Sequence, residues 1–276
     1  TPSGTHAELA LLALSHDLHV FVEKPLALDV ERAALVVRAA RERRRTLMVG
    51  HILHHDAAVS IAYGLLHAGA IGPVRLLLAE RSNAKQGDAI AAWWELAPHD
   101  IAVCARVFGE EPQWVEATAD FSVARATLGY VGGVARLQVG YHSARVRRMA
   151  WLGDEGALLL QEDGQGAQLR QARLSNLQCA SWLEHGLQRS QPELWGLVDQ
   201  SMTSSTRIEI PTADALRGEL SHFVFCALSG QQPISDGAEG LAVVRVLSAG
   251  DRARVAGRRR LLGQPREELS SPAADV

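Results

Sequence analysis

An α/β segment followed by an α+β segment is the architecture this sequence predicts: a partial parallel sheet, then a large, mostly antiparallel sheet covered by helices on one face. Three observations carry the prediction. Residues 20–50 run strand, helix, strand at a spacing that demands parallel strands and a right-handed crossover. From Trp114 to about Ile210 the hydrophobic period falls mostly to two. Two helices then close the chain.

The elements follow in order. His6 to about Ser15 is helical, with Leu9, Leu12 and Ala13 on its apolar positions and Thr5 as N-cap. Val20-Phe21-Val22 is a short buried strand ended by Glu23-Lys24-Pro25. Asp29 caps a helix of roughly Val30 to Arg44, whose inner face carries Ala33, Val36, Val37 and Ala40. Thr46 to Gly50 is the second strand. A helix from Asp56 to Ala68 stops at Gly69, a strand spans Val74 to Glu80, a polar loop follows, and a helix runs from Trp94 to Phe108. Strands are then expected at Trp114–Ala119, Gly133–Tyr141, Val146–Leu152, Ala157–Gln161, Gln168–Leu174 and Thr206–Ile210. Hairpin turns fall at Gly132-Gly133, Asp154-Glu155-Gly156 and Asp163-Gly164. Helices at about 213–228 and 238–254 precede a polar tail after Arg260, expected to be loose.

Composition narrows the function classes. The 276 residues carry 28 Lys+Arg against 31 Asp+Glu, a net charge of −3, so no basic excess is available for nucleic acid. No apolar run approaches the ~18 residues of a membrane span. Cys104, Cys179 and Cys226 lack both disulfide density and zinc spacing, which favours a reducing cytoplasm. Only two of the 28 cations are lysine, Lys24 and Lys85. An amine can exchange its proton where a guanidinium cannot. Lys85, in the polar loop 83–88, reads as compositional accident.

Lys24 follows a buried parallel strand, at the carboxyl end where open α/β sheets bind ligands. Pro25 restricts its backbone to an extended conformation. A catalytic amine and a plain surface Glu–Lys pair are equally open here. Glu95 and His99, four residues apart in Trp93-Trp94-Glu95-Leu96-Ala97-Pro98-His99-Asp100, share a helix face if the helix includes both. A carboxylate there would raise and orient the imidazole, and a merely local pair is the alternative. Asp100 points elsewhere, toward an arginine or a backbone amide. His51, His54, His55 and Asp56 are dense in metal-ligand types, yet His51 ends a strand and no cysteine is near, so no metal site is expected.

Together these stretches resemble one family. Thr-Pro-Ser-Gly-Thr-His, then Val-Phe-Val-Glu-Lys-Pro-Leu-Ala, then Met-Val-Gly-His is similar to the second half of the nucleotide domain of the glucose–fructose oxidoreductase / inositol dehydrogenase (Gfo/Idh/MocA) family. Glu-Leu-Ala-Pro-His-Asp-Ile resembles its active-site helix, and 220–223, 233–237 and 240–244 its closing helices. The resemblance implies a partial Rossmann-type sheet and a hydride transfer between NAD or NADP and a hydroxyl or keto carbon of a sugar, cyclitol or sugar nucleotide. By position it makes Lys24 the catalytic amine and His99 its partner in proton transfer, with Glu95 where the family usually carries aspartate. It sets Thr1, Pro2, His6, Glu23, Lys24 and Pro25 beside the cofactor. The Ala-Pro-His-Asp version is most similar to members acting on nucleotide-linked amino sugars or their acids.

No Gly-x-Gly-x-x-Gly occurs in the chain, so the phosphate-binding turn is expected upstream of Thr1, in roughly 60 to 70 further residues. The division expected is 1–52 as the C-terminal part of the dinucleotide domain, 53–260 for substrate and oligomerisation, and 261–276 as flexible tail. A homo-oligomer, dimer or tetramer, is expected through the open sheet face. Two competing readings are a non-catalytic scaffold lacking the cofactor loop and a metal-dependent lyase built on His51 and His55.

Overall fold

The computed structural model describes residues 1–142, 144–163, 166–174, 182–257 and 259–262. Helix α1 (His6–Ser15) leads into β1 (Val20–Glu23), α2 (Val30–Glu42) and β2 (Leu47–Gly50). β1 and β2 pair in parallel, Val20 with Leu47 through Glu23 with Gly50. Asp29 accepts from Arg32 N at 2.7 Å and so caps α2, which buries the four residues its periodicity named. Thr5 differs from expectation: its hydroxyl turns back to donate to Pro2 O instead of capping α1.

Beyond a 3-10 turn at Ile52–His55 lie α3 (Ala57–His67), β3 (Val74–Ala84) and α4 (Ala89–Phe108). Strands β4 (Trp114–Asp120), β5 (Val123–Gly129), β6 (Val134–His142), β7 (Val146–Gly153), β8 (Gly156–Asp163) and β9 (Gly166–Arg173) follow. After them come α5 (Trp182–Gln188), α6 (Gln191–Ser201), β10 (Thr206–Ile208), α7 (Ala215–Ser229), α8 (Gly237–Ala256) and β11 (Arg260–Leu261). The described strands after β2 form one sheet, ordered β10-β9-β8-β7-β3-β6-β5-β4-β11, in which only β3 and β6 run parallel. One face packs on α4 and α8 through Leu77, Ala79, Leu137, Val139 and Trp151.

Several boundaries move, each for a tertiary reason. β3 continues four residues into the stretch read as a loop, because β6 and β7 pair with it on both sides out to Ala84 and Ser82. α4 starts at Ala89 instead of Trp94, since Asp88 accepts from Ala91 N at 2.8 Å and caps it there. That places Pro98 inside the helix. β5 escaped the period-two reading, and so did α5 and α6. Those two helices lay Trp182, Leu194, Trp195 and Val198 over Leu76, Leu78, Ala150 and Leu159 on the second face of the sheet. The face expected from the sequence to be open is therefore partly covered by these helices.

Leu261 pairs with Trp114, so the expected tail begins after the final strand; residues 263–276, like Cys179 and the turn residue Gly164, lie outside the described residues. Cys104 and Cys226 are buried free thiols. Among the described residues no helix is long and apolar enough to cross a membrane.

Candidate active site

Strand β1 delivers Glu23 and Lys24 at its carboxyl end, and β2 delivers Gly50 and His51 beside them. From there Lys24 reaches α4, where its Nζ donates to the main-chain oxygen of Glu95 at 2.6 Å. Pro98 lies in the same stretch of the helix: it has no N–H for the Trp94 oxygen four residues back, and its ring crowds that turn. Burial lowers the pKa of Lys24; Glu95 and Glu23 pull it up, Arg81 and Lys85 push it down, and it stays below its ordinary value.

The Glu95 carboxylate does not face His99. Its Oε2 accepts from Lys85 Nζ at 2.5 Å and from Tyr141 Oη at 2.7 Å, and the Lys85 ammonium lies 4.6 Å from the Tyr141 ring centre. Burial raises this carboxyl, but the two hydrogen bonds outweigh it and leave the pKa low. Lys85, read from the sequence as compositional accident, is held against Glu95 and the Tyr141 ring. Tyr141, the second donor to this carboxylate, comes from a strand 46 residues from Glu95, a separation no local pattern reveals.

His99 reverses the sign expected of it. With no carboxylate beside it, desolvation first, then Arg81, Lys24, His51 and Arg147, hold its imidazole well below the ordinary histidine range. It is neutral at pH 7, and its buried Nδ1 has no hydrogen-bond partner. The neighbouring Asp100 meets Arg81 from β3: Nε lies 3.2 Å from both carboxylate oxygens and Nη2 is 2.8 Å from Oδ1. Both are buried. The expected arginine partner is found, though the sequence did not single out Arg81 itself.

His6, on α1, faces Pro25 O at 2.8 Å through Nδ1 and Thr1 O at 3.2 Å through Nε2. This one buried ring ties the opening Thr1-Pro2 loop to the Glu23-Lys24-Pro25 turn. The histidine cluster is dispersed. His51 is fully buried with both ring nitrogens unpartnered, and desolvation lowers its pKa to about 3. His54 lies between Tyr63 Oη at 3.0 Å and Glu239 Oε1 at 2.8 Å, while His55 packs against the His222 ring, 5.4 Å between centres. Among the described residues no group of three or more His, Cys, Asp or Glu is arranged to hold a metal ion.

The geometry suits proton transfer on a polar substrate held between a sheet edge and α4. A nicotinamide fits the residues present: the orphaned nitrogens of His51 and His99 lie near the Lys24 charge, and the His6-tied loop adjoins the strand ends. The sequence contains no Gly-x-Gly-x-x-Gly to receive a pyrophosphate.

Residues 1–51 match the model of an oxidoreductase family described as having an NAD-binding Rossmann fold. UDP-N-acetylglucosamine 3-dehydrogenase of Acidithiobacillus ferrooxidans is 28% identical over 268 residues, spanning 93% of this chain and 76% of that enzyme. Inositol 2-dehydrogenase of Rhizobium meliloti is 28% identical over 132 residues, 46% of this chain and 40% of the relative. Among solved structures, an aldose–aldose oxidoreductase from Caulobacter crescentus superposes with a TM-score of 0.76 at 22% identity, covering 95% of this chain and 77% of its own. The crystal structure of the Acidithiobacillus enzyme superposes with a TM-score of 0.72.

Proposed function

We propose that this chain, as a member of the Gfo/Idh/MocA family of NAD-binding oxidoreductases, uses Lys24 to move the proton in a hydride transfer at a hydroxyl or keto carbon of a sugar, cyclitol or sugar nucleotide. The observation that carries the proposal is the 2.6 Å bond from Lys24 Nζ to Glu95 O, which brings the amine at the strand end to the helix bearing His99. Similarity across nearly the whole chain to a UDP-sugar dehydrogenase supports a nucleotide-linked amino sugar as the substrate class.

When bound, NAD or NADP supplies the hydride acceptor or donor. Oxidation of a secondary alcohol leaves the hydroxyl proton to be taken up, and an amine with a burial-depressed pKa is suited to take it near neutral pH. In reduction the Lys24 ammonium returns that proton. Neutral His99 hydrogen-bonds the same substrate oxygen. Glu95 acts as a positioning residue, its carboxylate held by Lys85 and Tyr141 while its carbonyl orients the amine. Thr1, Pro2, His6, Glu23 and Pro25 line the nicotinamide end.

In this reading residues 1–52 are the C-terminal part of the dinucleotide domain and 53–260 form the substrate and assembly domain. The setting is the cytoplasm, and a second copy docks on the sheet face. Support for that docking comes from a ladder of side chains crossing four strands. Arg125 donates to Gln138, Gln138 to Glu80, and Arg148 to the other Glu80 oxygen at 2.6 Å, all only partly buried.

Replacing Lys24 by Met in the native enzyme tests the assignment. Turnover of UDP-N-acetylglucosamine and of inositol should fall about 10²–10⁴-fold, while cofactor affinity, read by nicotinamide fluorescence, stays within twofold. Unchanged turnover would remove Lys24 from the chemistry.

A further inference from the structure

At the opposite end of β1 and β2 from Lys24, roughly 13 Å away along four-residue strands, lies a cavity of about 360 Å³. Its volume is in the range of small-molecule sites. The walls come from the end of α2, the loop into β2 and the turn into α8, including Arg41, Arg44, Arg45, His19, Asp236 and Gly237.

The chemistry of this wall points to an anion. Among the described residues Arg41, Arg44 and Arg45 make no side-chain hydrogen bond or ion pair, and Arg45 Nε is buried with nothing to bond. Their neighbour Arg43 is satisfied elsewhere, by Asp17 and Ser15 O. His19 accepts the Thr46 N–H on Nδ1 at 3.0 Å, so its other nitrogen is a donor. Asp236 is the one carboxylate in the lining. Its Oδ1 caps α8 by accepting from Glu239 N, and its Oδ2 accepts from Gln232 Nε2. Gly237 and Ala238, the first residues of α8, line the same cavity, and helix-start amides have no partner within the helix. Three unpaired guanidiniums, an imidazole donor and a helix start thus surround one cavity.

We propose that this cavity binds a phosphate-bearing small molecule of sugar-phosphate size, at a site separate from the candidate active site. Guanidiniums match phosphate bidentately, and the remaining volume, lined by Val37, Ala40, Leu47 and Pro233, accommodates a compact carbon skeleton. The proposal does not depend on the hydride chemistry.

Calorimetric titration of the full chain with ribose 5-phosphate, and with ribose as the uncharged control, tests it. Saturable one-to-one binding of the phosphate ester alone is expected. Arg44→Ala removes an exposed side chain and leaves folding untouched, while Arg45→Gln removes the orphaned guanidinium; each should raise the dissociation constant on the order of tenfold. Lys24→Met should leave it unchanged, which separates this cavity from the active site. If ribose 5-phosphate binds no better than ribose, or if both arginine variants bind it as the parent does, the proposal is overturned.

Discussion

Replacing Asp100 by Asn would strip the charge from a buried pair while keeping its shape. Arg81 is 7% exposed and Asp100 1%, with three N···O contacts between 2.8 and 3.2 Å. Asp100 outweighs the desolvation of the guanidinium and keeps its pKa raised. Removing one partner of such a pair leaves an uncompensated buried cation, at a cost of about 3–5 kcal/mol. In a chain of this size each kcal/mol moves the midpoint by about 2–4 °C, so a fall of roughly 6–20 °C is expected. Arg81→Met combined with Asp100→Leu should recover most of it, because hydrophobic replacement of both charges costs little. The double variant also removes a cation that depresses both Lys24 and His99. The Lys24 pKa should then rise, and the ascending limb of the oxidation rate against pH should shift to higher pH. Differential scanning calorimetry and a pH–rate profile are the two assays. A single-variant loss below about 1 kcal/mol, the value of an exposed pair, or a double variant no better than the single, would refute the reasoning.

Glu219 is buried with Oε1 unpartnered; desolvation and the nearby Glu23 raise its pKa to about 7. The folded chain therefore holds a proton that the unfolded chain, titrating near 4.5, releases earlier, so this group's contribution falls as pH rises from about 4.5 to 7. Urea unfolding should show Glu219→Gln more stable than the parent at pH 8 by roughly 1–3 kcal/mol, with little difference at pH 4.5; equal differences at both pH values would remove Glu219 as the cause. A Cβ at Gly250 would meet the Trp93 ring at 2.6 Å, where α8 crosses α4 and Trp93 Nε1 donates to Leu247 O. Gly250→Val should cost about 1–3 kcal/mol, and Trp93→Phe in that background should relieve part of it, an unfolding midpoint unchanged by Gly250→Val being the contrary result.

The sequence alone determined what short-range physics governs. The Asp29 cap and the inner face of α2 were legible because each rests on residues within one or two turns of each other, and the parallel pair because a strand–helix–strand spacing admits one handed closure. The scarcity of lysine and the Glu-Lys-Pro and Pro-His-Asp stretches pointed to Lys24 and His99 in the same way. Tertiary structure alone decided what those groups face. Glu95 lies one helical turn from His99, yet its carboxylate turns to Lys85 and Tyr141, because a charge-assisted bond to an ammonium outcompetes a local partner. His99 is consequently neutral where the spacing had made it basic. Arg81 and Ser82 read as loop residues until two neighbouring strands paired with their backbone and Asp100 matched the buried guanidinium. Charge pairing and burial act through space across separations of tens of residues, so pKa values and partners belong to the folded chain, whereas caps, periods and turns belong to the sequence.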